Sequence, residues 1–179
     1  VAVGAFAGAA VTTGTQNVAV GGLALDAATT GASQTALGYN ALGADTKGQN
    51  SVAVGHNALA TQNLTTATNT YNVAVGSQAG LVISTGTENT LIGGLSGDAI
   101  TTGASNVALG VSSLGANTVG SQTVAIGNQA LTAQNYGTAT DSLNTAVGFQ
   151  AGLAVTTGIR NTLIGGEAGK ALTDADFNV

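Results

Sequence analysis

The chain has 179 residues and a formal net charge of -5, with only three basic side chains, 28 glycines and no proline, cysteine, methionine or tryptophan. So few basic residues argue against the positively charged surface that nucleic acids and anionic membranes require. No apolar run approaches the roughly 18 residues of a membrane-spanning helix. The apolar residues are mostly Ala, Val and Leu, which predicts a thin, closely spaced interior.

A glycine-centred motif, Asn17-Val18-Ala19-Val20-Gly21, recurs with small changes along the whole chain. We call its last glycine the anchor, and it occurs at Gly4, Gly21, Gly38, Gly55, Gly76, Gly93, Gly110, Gly127, Gly148 and Gly165. The spacings between successive anchors, counted along the chain, are 17, 17, 17, 21, 17, 17, 17, 21 and 17. Self-similarity at a fixed period of this length predicts a stacked repeat architecture.

A longer, 72-residue period contains three 17-residue units and one 21-residue unit. Residues 1–72 and 73–144 are identical at 39 of these 72 positions, and residues 145–179 begin a third copy. Duplication of a four-unit block is the simplest history, so we expect a single repeat array over residues 1–179. Because both ends fall inside the motif, we expect the chain to be an excerpt of a longer array.

Each unit predicts one coil of an all-β, parallel β-solenoid. The residues before the anchor, such as Val18-Ala19-Val20, alternate as a strand does, and apolar residues on both faces predict that both are buried. The third and fourth residues after the anchor predict a second, shorter strand. A glycine seven residues before the next anchor, such as Gly86 or Gly103, predicts a turn with φ above zero. No unit has the 3.6-residue period of a helix.

An asparagine column lies four residues before the anchors. It contains Asn17, Asn72, Asn89, Asn106, Asn144, Asn161 and Asn178, with Gln34, Ser51 and Thr123 at the remaining places. Identical amides stacked at the coil spacing predict a hydrogen-bonded ladder along the solenoid.

The repeated pattern Asn-x-Ala-Val-Gly-x-x-Ala-Leu resembles the head repeat of trimeric autotransporter adhesins (YadA-like), and similar repeats occur in bacteriophage tail fibres. The resemblance covers the whole chain. It implies a left-handed parallel β-roll of about ten coils, three chains side by side, and an extracellular adhesive role at a cell surface or in a virion fibre. The 17- and 21-residue units are longer than the usual adhesin repeat, and the extra residues should enlarge one turn.

The alternation of strand side chains also predicts assembly. One set of side chains should fill the coil, and the other should form a continuous apolar stripe. We place that stripe at the central strand residues Ala36, Ala53, Ala74, Leu91, Ala108, Ala125, Ala146 and Leu163. Such a stripe is longer than monomers normally expose, so we expect identical chains to cover it, and the resemblance adds that the assembly is a homotrimer.

The two 21-residue units hold the candidate binding residues. Insertions in solenoids emerge as loops on one face, often the binding face. Asn63, Tyr71, Asn135, Tyr136 and Asp141 are the exposed polar and aromatic types that a glycan or receptor site would use. The alternative is that both insertions are passive bulges.

No catalytic, metal or cofactor site is predicted. Nucleophilic catalysis needs a nucleophile beside a base, and the single histidine, His56, has no matching acid in the pattern. We therefore predict a non-enzymatic fibre or adhesin segment without nucleic-acid partners or membrane insertion. The alternative function is ice binding by threonine columns, which contain Thr12-Thr13, Thr29-Thr30, Thr101-Thr102 and Thr156-Thr157.

Overall fold

The computed structural model describes residues 1–179, and these residues wind into a parallel β-solenoid of about ten coils without helices. The strands are β1 Ala2–Val3, β2 Val18–Val20, β3 Thr35–Leu37, β4 Gly48–Gln49, β5 Val52–Val54, β6 Thr68–Asn69, β7 Val73–Val75, β8 Thr90–Ile92, β9 Val107–Leu109, β10 Gly120–Ser121, β11 Val124–Ile126, β12 Thr140–Asp141, β13 Thr145–Val147 and β14 Thr162–Ile164. The repeat period therefore predicted the class of fold and the number of coils.

One long sheet contains the strand that precedes each anchor. Its ten strands are ordered β1-β2-β3-β5-β7-β8-β9-β11-β13-β14, and all neighbours are parallel. The register matches equivalent residues, so that Ala19 pairs with Ala36 and Ala36 with Ala53. Two short parallel pairs, β4 with β6 and β10 with β12, lie just before the strands at which the two 21-residue units rejoin the long sheet.

The predicted second strand after the anchor is wrong, because that segment is a corner with left-handed backbone. Leu25 has φ 53° and Gly80 has φ 59° at the fourth position after the anchor. In all, 25 non-glycine residues have φ between 49° and 61°. They recur at the second and fourth positions after the anchor and at the fifth before it. Each short coil must reverse direction within a few residues, and left-handed residues make these corners.

Glycine is required at two places in the coil for different reasons. The anchors have φ between 126° and 141°, a region that L-residues rarely adopt. The turn glycines do not, so the predicted positive φ at Gly86 and Gly103 is wrong. A Cβ on Gly103 would instead overlap the carbonyl oxygen of Gly120 in the next coil. Close approach of successive coils, rather than backbone conformation, requires glycine at the turn.

The predicted asparagine ladder is confirmed, and each amide also bonds to the main chain. The side chain of Asn89 donates from Nδ2 to the carbonyl oxygen of Gly103 at 3.0 Å. Its Oδ1 accepts from the backbone N–H of Asn106 at 3.1 Å and from Nδ2 of Asn106 at 3.0 Å. Asn89 is fully buried. Each asparagine therefore satisfies a donor and an acceptor of the next coil in a place that water does not reach.

Two positions of each coil exchange large and small residues in the interior. Where the fourth residue after the anchor is Leu, the seventh is small or polar, as in Leu25 with Ala28. Where the fourth is Gly, the seventh is Ile, Val or Leu, as in Gly80 with Ile83. A Cβ on Gly80 would lie 3.1 Å from Cδ1 of Ile83. The alternation that resembles a strand pattern in the sequence is thus a packing rule.

We predict that Leu25→Gly and Ala28→Ile compensate each other. Leu25→Gly alone removes a fully buried side chain and should cost about 2–5 kcal/mol of unfolding free energy. Ala28→Ile alone should cost about 1–3 kcal/mol by overpacking. The double variant has the composition of a glycine coil and should recover most of the loss. Chemical denaturation of the four proteins gives the coupling, and additive losses would contradict the packing rule.

Candidate functional site

The outer sheet face is a continuous apolar surface, and it consists of different residues from those predicted. The central strand residues from Ala19 to Leu163 are at most 6% exposed and fill the coil. The predicted alanine stripe is therefore inside the solenoid. The interior accepts Ala at most of these positions and Leu at Leu91 and Leu163, and the Val, Leu and Ile side chains on either side of them point outward.

The outer sheet face is defined by the residues three and one before each anchor. They are Val18, Val20, Thr35, Leu37, Val52, Val54, Val73, Val75, Thr90, Ile92, Val107, Leu109, Val124, Ile126, Thr145, Val147, Thr162 and Ile164, which follow Val1 and Val3. None is buried; Leu37 is 45% exposed and Leu109 is 44% exposed. The face carries no charged side chain, and its only polar side chains are four threonines.

Aromatic residues extend this face along the edge after the anchors. Tyr39 and Phe149 are each 53% exposed, and Val111 is 51% exposed. The rings of Tyr39 and His56 stack with their centroids 5.8 Å apart and their planes at 16°. The single histidine is thus a surface side chain beside the apolar face.

The two insertions are divided in the same way. Gly48 pairs with Thr68, and Val52 pairs with Val73. The step of four residues from Gly48 to Val52 on one coil is therefore matched by a step of five residues from Thr68 to Val73 on the next. One extra residue is therefore absorbed between β6 and β7. The other three, Thr65–Ala67, precede β6 and are exposed. The pairs Gly120–Thr140 and Val124–Thr145 divide the second insertion identically, with Gly137, Thr138 and Ala139 exposed.

Tyr136 is buried, so its predicted exposure is wrong. The side chain is 6% exposed, and its hydroxyl donates to the carbonyl oxygen of Gly158 at 2.9 Å. Nδ2 of Asn144 donates to the same hydroxyl oxygen at 3.2 Å. Burial raises the pKa of Tyr136 to about 12. Leu64 is its equivalent in the first insertion and is also 6% exposed, so both loops are anchored in the interior by one large side chain.

The other four predicted binding residues are exposed but do not form a single site. The side-chain oxygens of Asn63 and Asn135 each accept a hydrogen bond of 2.8 Å from a threonine hydroxyl of the preceding coil. Tyr71 is 54% exposed, and Asp141 is exposed on β12. The one cavity of the structure lies at the first coils, where Val1, Val11 and Leu25 contribute to its lining, and it contains none of these residues.

The threonine columns give little support to ice binding. The first hydroxyl of each pair donates to the next coil, as from Thr12 to the carbonyl oxygen of Thr29 at 3.0 Å. The second threonine is exposed at Thr13 and Thr30, but the equivalent position of the next coil is occupied by Lys47. Insertions and other residues interrupt the column in the same way further along. No more than two successive coils carry the exposed threonine, which makes a small platform for ordered water.

The acidic and histidine side chains form no cluster suited to a metal ion. No three of the His, Asp and Glu side chains lie close enough together to hold a metal ion. No helix has the length and hydropathy of a membrane span. Comparison with known proteins gives no match to a family model, to a curated protein or to a solved structure.

We predict that Tyr136 makes stability depend on alkaline pH. The folded chain keeps the phenol neutral up to about pH 12, whereas the unfolded chain ionises it above about pH 10. Stability should therefore fall as pH rises from about 10 to 12. Melting curves of Tyr136→Phe should lose this fall, and those of the exposed variant Tyr71→Phe should keep it. An equal pH dependence in the wild type and Tyr136→Phe would contradict the assignment.

We also predict that each loop can be shortened only outside its anchor. Deleting Thr65–Ala67 removes three exposed residues and should leave the thermal melt nearly unchanged. Deleting Leu64–Thr66 removes the same number of residues but also the buried Leu64, and should cost about 2–5 kcal/mol. Circular dichroism melts compare the two. Equal losses would show that the anchor has no special role.

Proposed function

We propose that this chain is a non-enzymatic segment of an extracellular fibre, either a trimeric surface adhesin or a virion tail fibre, that spaces and presents an attachment site. The observation that carries the proposal is the outer sheet face, an uncharged apolar surface along the whole solenoid. A surface of this length is more than a soluble monomer normally leaves in contact with water. The resemblance of the repeat supplies the expectation of three chains.

Identical copies are the occupant that fits this face best. The face has the same residue types in every coil, so parallel copies at the same level would meet with matching shapes along the whole array. Burial of Val, Leu and Ile side chains drives such association. The chain has a formal net charge of -5 and only 6% charged residues. It therefore has little charge repulsion to keep it soluble and monomeric if this face is left uncovered.

The inserted loops are where we propose contact with a glycan or receptor. Thr65, Thr66 and Ala67 are exposed in the first insertion, and the exposed Tyr71 follows β6 in the same unit. The buried side chain of Leu64 anchors the exposed loop to the interior. The shape of the loop is therefore fixed before a partner binds, which lowers the entropy cost of binding. The same geometry recurs in the next 72-residue repeat, so an array would present these loops at regular intervals.

We predict that Leu109→Glu and Ala108→Glu, which change adjacent residues of β9, act differently. Ala108 is fully inside the coil, so a glutamate there should unfold the chain by burying a charge without a partner. Leu109→Glu should leave the coil folded but place like charges in the interface between copies. Sedimentation equilibrium should give a trimer for the wild type, with a melting temperature that rises with concentration.

The control is Thr102→Glu, which adds the same charge at an exposed position outside the outer sheet face and should remain trimeric. Leu109→Glu should sediment as a folded monomer at micromolar concentration. A wild-type protein that is a stable, folded monomer at this concentration would refute both the assembly and the fibre function.

A further inference from the structure

The first inserted loop contains an Asn-x-Thr triplet, Asn63-Leu64-Thr65. No other asparagine of the chain is followed two residues later by serine or threonine. This triplet, with any residue except proline in the middle, is the acceptor pattern for N-linked glycosylation, which requires a surface position. Because so short a pattern also arises by chance, its surroundings in the fold decide whether it can be used.

The triplet presents its two polar side chains to solvent. Asn63 and Thr65 are exposed, whereas Leu64 between them is 6% exposed and enters the interior. The carbonyl oxygen of Thr65 also accepts from Nζ of Lys47 at 3.1 Å, which ties the outer part of the triplet to the preceding coil. The amide and the hydroxyl of the acceptor pattern are therefore both within reach of a second protein while the coil is folded.

Hydrogen bonds orient the Asn63 amide with its nitrogen free. Its Oδ1 accepts from the hydroxyl of Thr46 at 2.8 Å, and that hydroxyl also lies 3.1 Å from the carbonyl oxygen of Leu64. Nδ2 of Asn63 makes no hydrogen bond within the chain, whereas Nδ2 of the buried Asn89 donates to the carbonyl oxygen of Gly103. The column asparagines therefore have their nitrogens engaged inside the solenoid, and Asn63 does not.

The second inserted loop is a natural counterpart that lacks the hydroxyl. Asn135 occupies the position of Asn63 and is also exposed. Its Oδ1 accepts from the hydroxyl and the backbone N–H of Thr118 at 2.8 Å and 3.3 Å. Because a backbone N–H can only donate, the oxygen must face the coil and the nitrogen must face outward. Gly137 stands in the place of Thr65, so the two loops share the amide geometry and differ in the required hydroxyl.

We propose that Asn63 is the acceptor of an N-linked sugar and that Asn135 stays unmodified. A glycosyltransferase supplies the sugar from a donor in which the sugar is bonded to a diphosphate, carried by a nucleotide or by a lipid. Nδ2 attacks the anomeric carbon, the bond from that carbon to the diphosphate oxygen breaks, and the diphosphate leaves with the electron pair. One N–H proton passes to a base of the transferase. Oδ1 is untouched, so the hydrogen bond from Thr46 survives.

The sugar would make the two inserted loops of the repeat array different. An N-linked glycan is bulky and solubilising, so it would cover the first loop with a hydrated group. The second loop would keep Gly137, Thr138 and Ala139 bare. The proposal rests on the folded loop and on neither the trimeric assembly nor the attachment function, so its failure would leave both of those unaffected.

Transfer of a sugar to the folded chain tests the proposal. The purified chain is incubated without denaturant with UDP-glucose and a soluble N-glycosyltransferase that recognises Asn-x-Ser/Thr, and peptide mass spectrometry locates any added hexose. The wild type should gain one hexose, at Asn63. Thr65→Ala should lose the modification and Thr65→Ser should keep it. Both variants should melt as the wild type does, because Thr65 is exposed.

The matched gain-of-function variant is Gly137→Thr, which completes the acceptor pattern at Asn135. A Cβ on Gly137 would meet no atom within 4 Å, so the second loop should keep its shape. The variant should gain a second hexose, at Asn135. Modification of Asn135 in the wild type, or no second hexose in a folded Gly137→Thr variant, would contradict the assignment of the two loops.

A second arm distinguishes the two carriers of the sugar. The chain is secreted by eukaryotic cells, whose transferase uses a lipid-linked oligosaccharide, and peptide N-glycosidase then releases the glycan and converts its asparagine to aspartate. A hexose on the folded chain in the first arm supports a nucleotide-linked donor. A glycan at Asn63 in the second arm alone supports a lipid-linked donor that acts before folding. An Asn63 that is unmodified in both arms, while an unstructured acceptor peptide is modified, would overturn the proposal.

Discussion

Successive coils lie one strand spacing apart, about 4.8 Å, and this separation governs the rest of the structure. It leaves no room for a side chain between coils where the backbone of one faces the carbonyl group of the next. Gly103 meets the carbonyl oxygen of Gly120 in this way, and Gly110 meets that of Gly127. Between these contacts the asparagine column supplies the hydrogen bonds that the turn backbone cannot make with itself. Glycines and amides together allow a chain with few large residues to form a dry interior.

Much of the fold could be predicted from the sequence because the stacking constraint repeats in every coil. Residues that recur at fixed places in the repeat mark the anchors, the strand before each anchor and the asparagine ladder. Counting them gives the number of coils. The corners do not, because Leu25 and Gly80 share one left-handed conformation although one has a large side chain and the other has none. Only the neighbouring Ala28 and Ile83 show that these residues exchange volume. The sequence also did not show which strand residues point into the coil, because the neighbours Ala108 and Leu109 are both apolar.

The candidate site was predictable in place but not in detail. The length of the longer units showed where the loops lie. It did not show how many of the four extra residues leave the coil. One residue is absorbed before the sheet, and Leu64 or Tyr136 enters the interior. An aromatic residue in a polar loop usually indicates a binding surface, and the hydroxyl of Tyr136 made that interpretation attractive. The bond to Gly158, which only the folded chain brings near, explains why a tyrosine is found inside.

The orientation of the hydrogen bonds determines how this solenoid bears load. The bonds between coils, including those of Asn89 and Asn106, connect each coil to the one above and therefore run along the axis. A pull on the two chain ends loads the bonds of one terminal coil at a time rather than all coils together. Each 17-residue coil that detaches would release up to about 60 Å of extended chain. The solenoid should thus extend in steps under axial tension, with the remaining coils still folded.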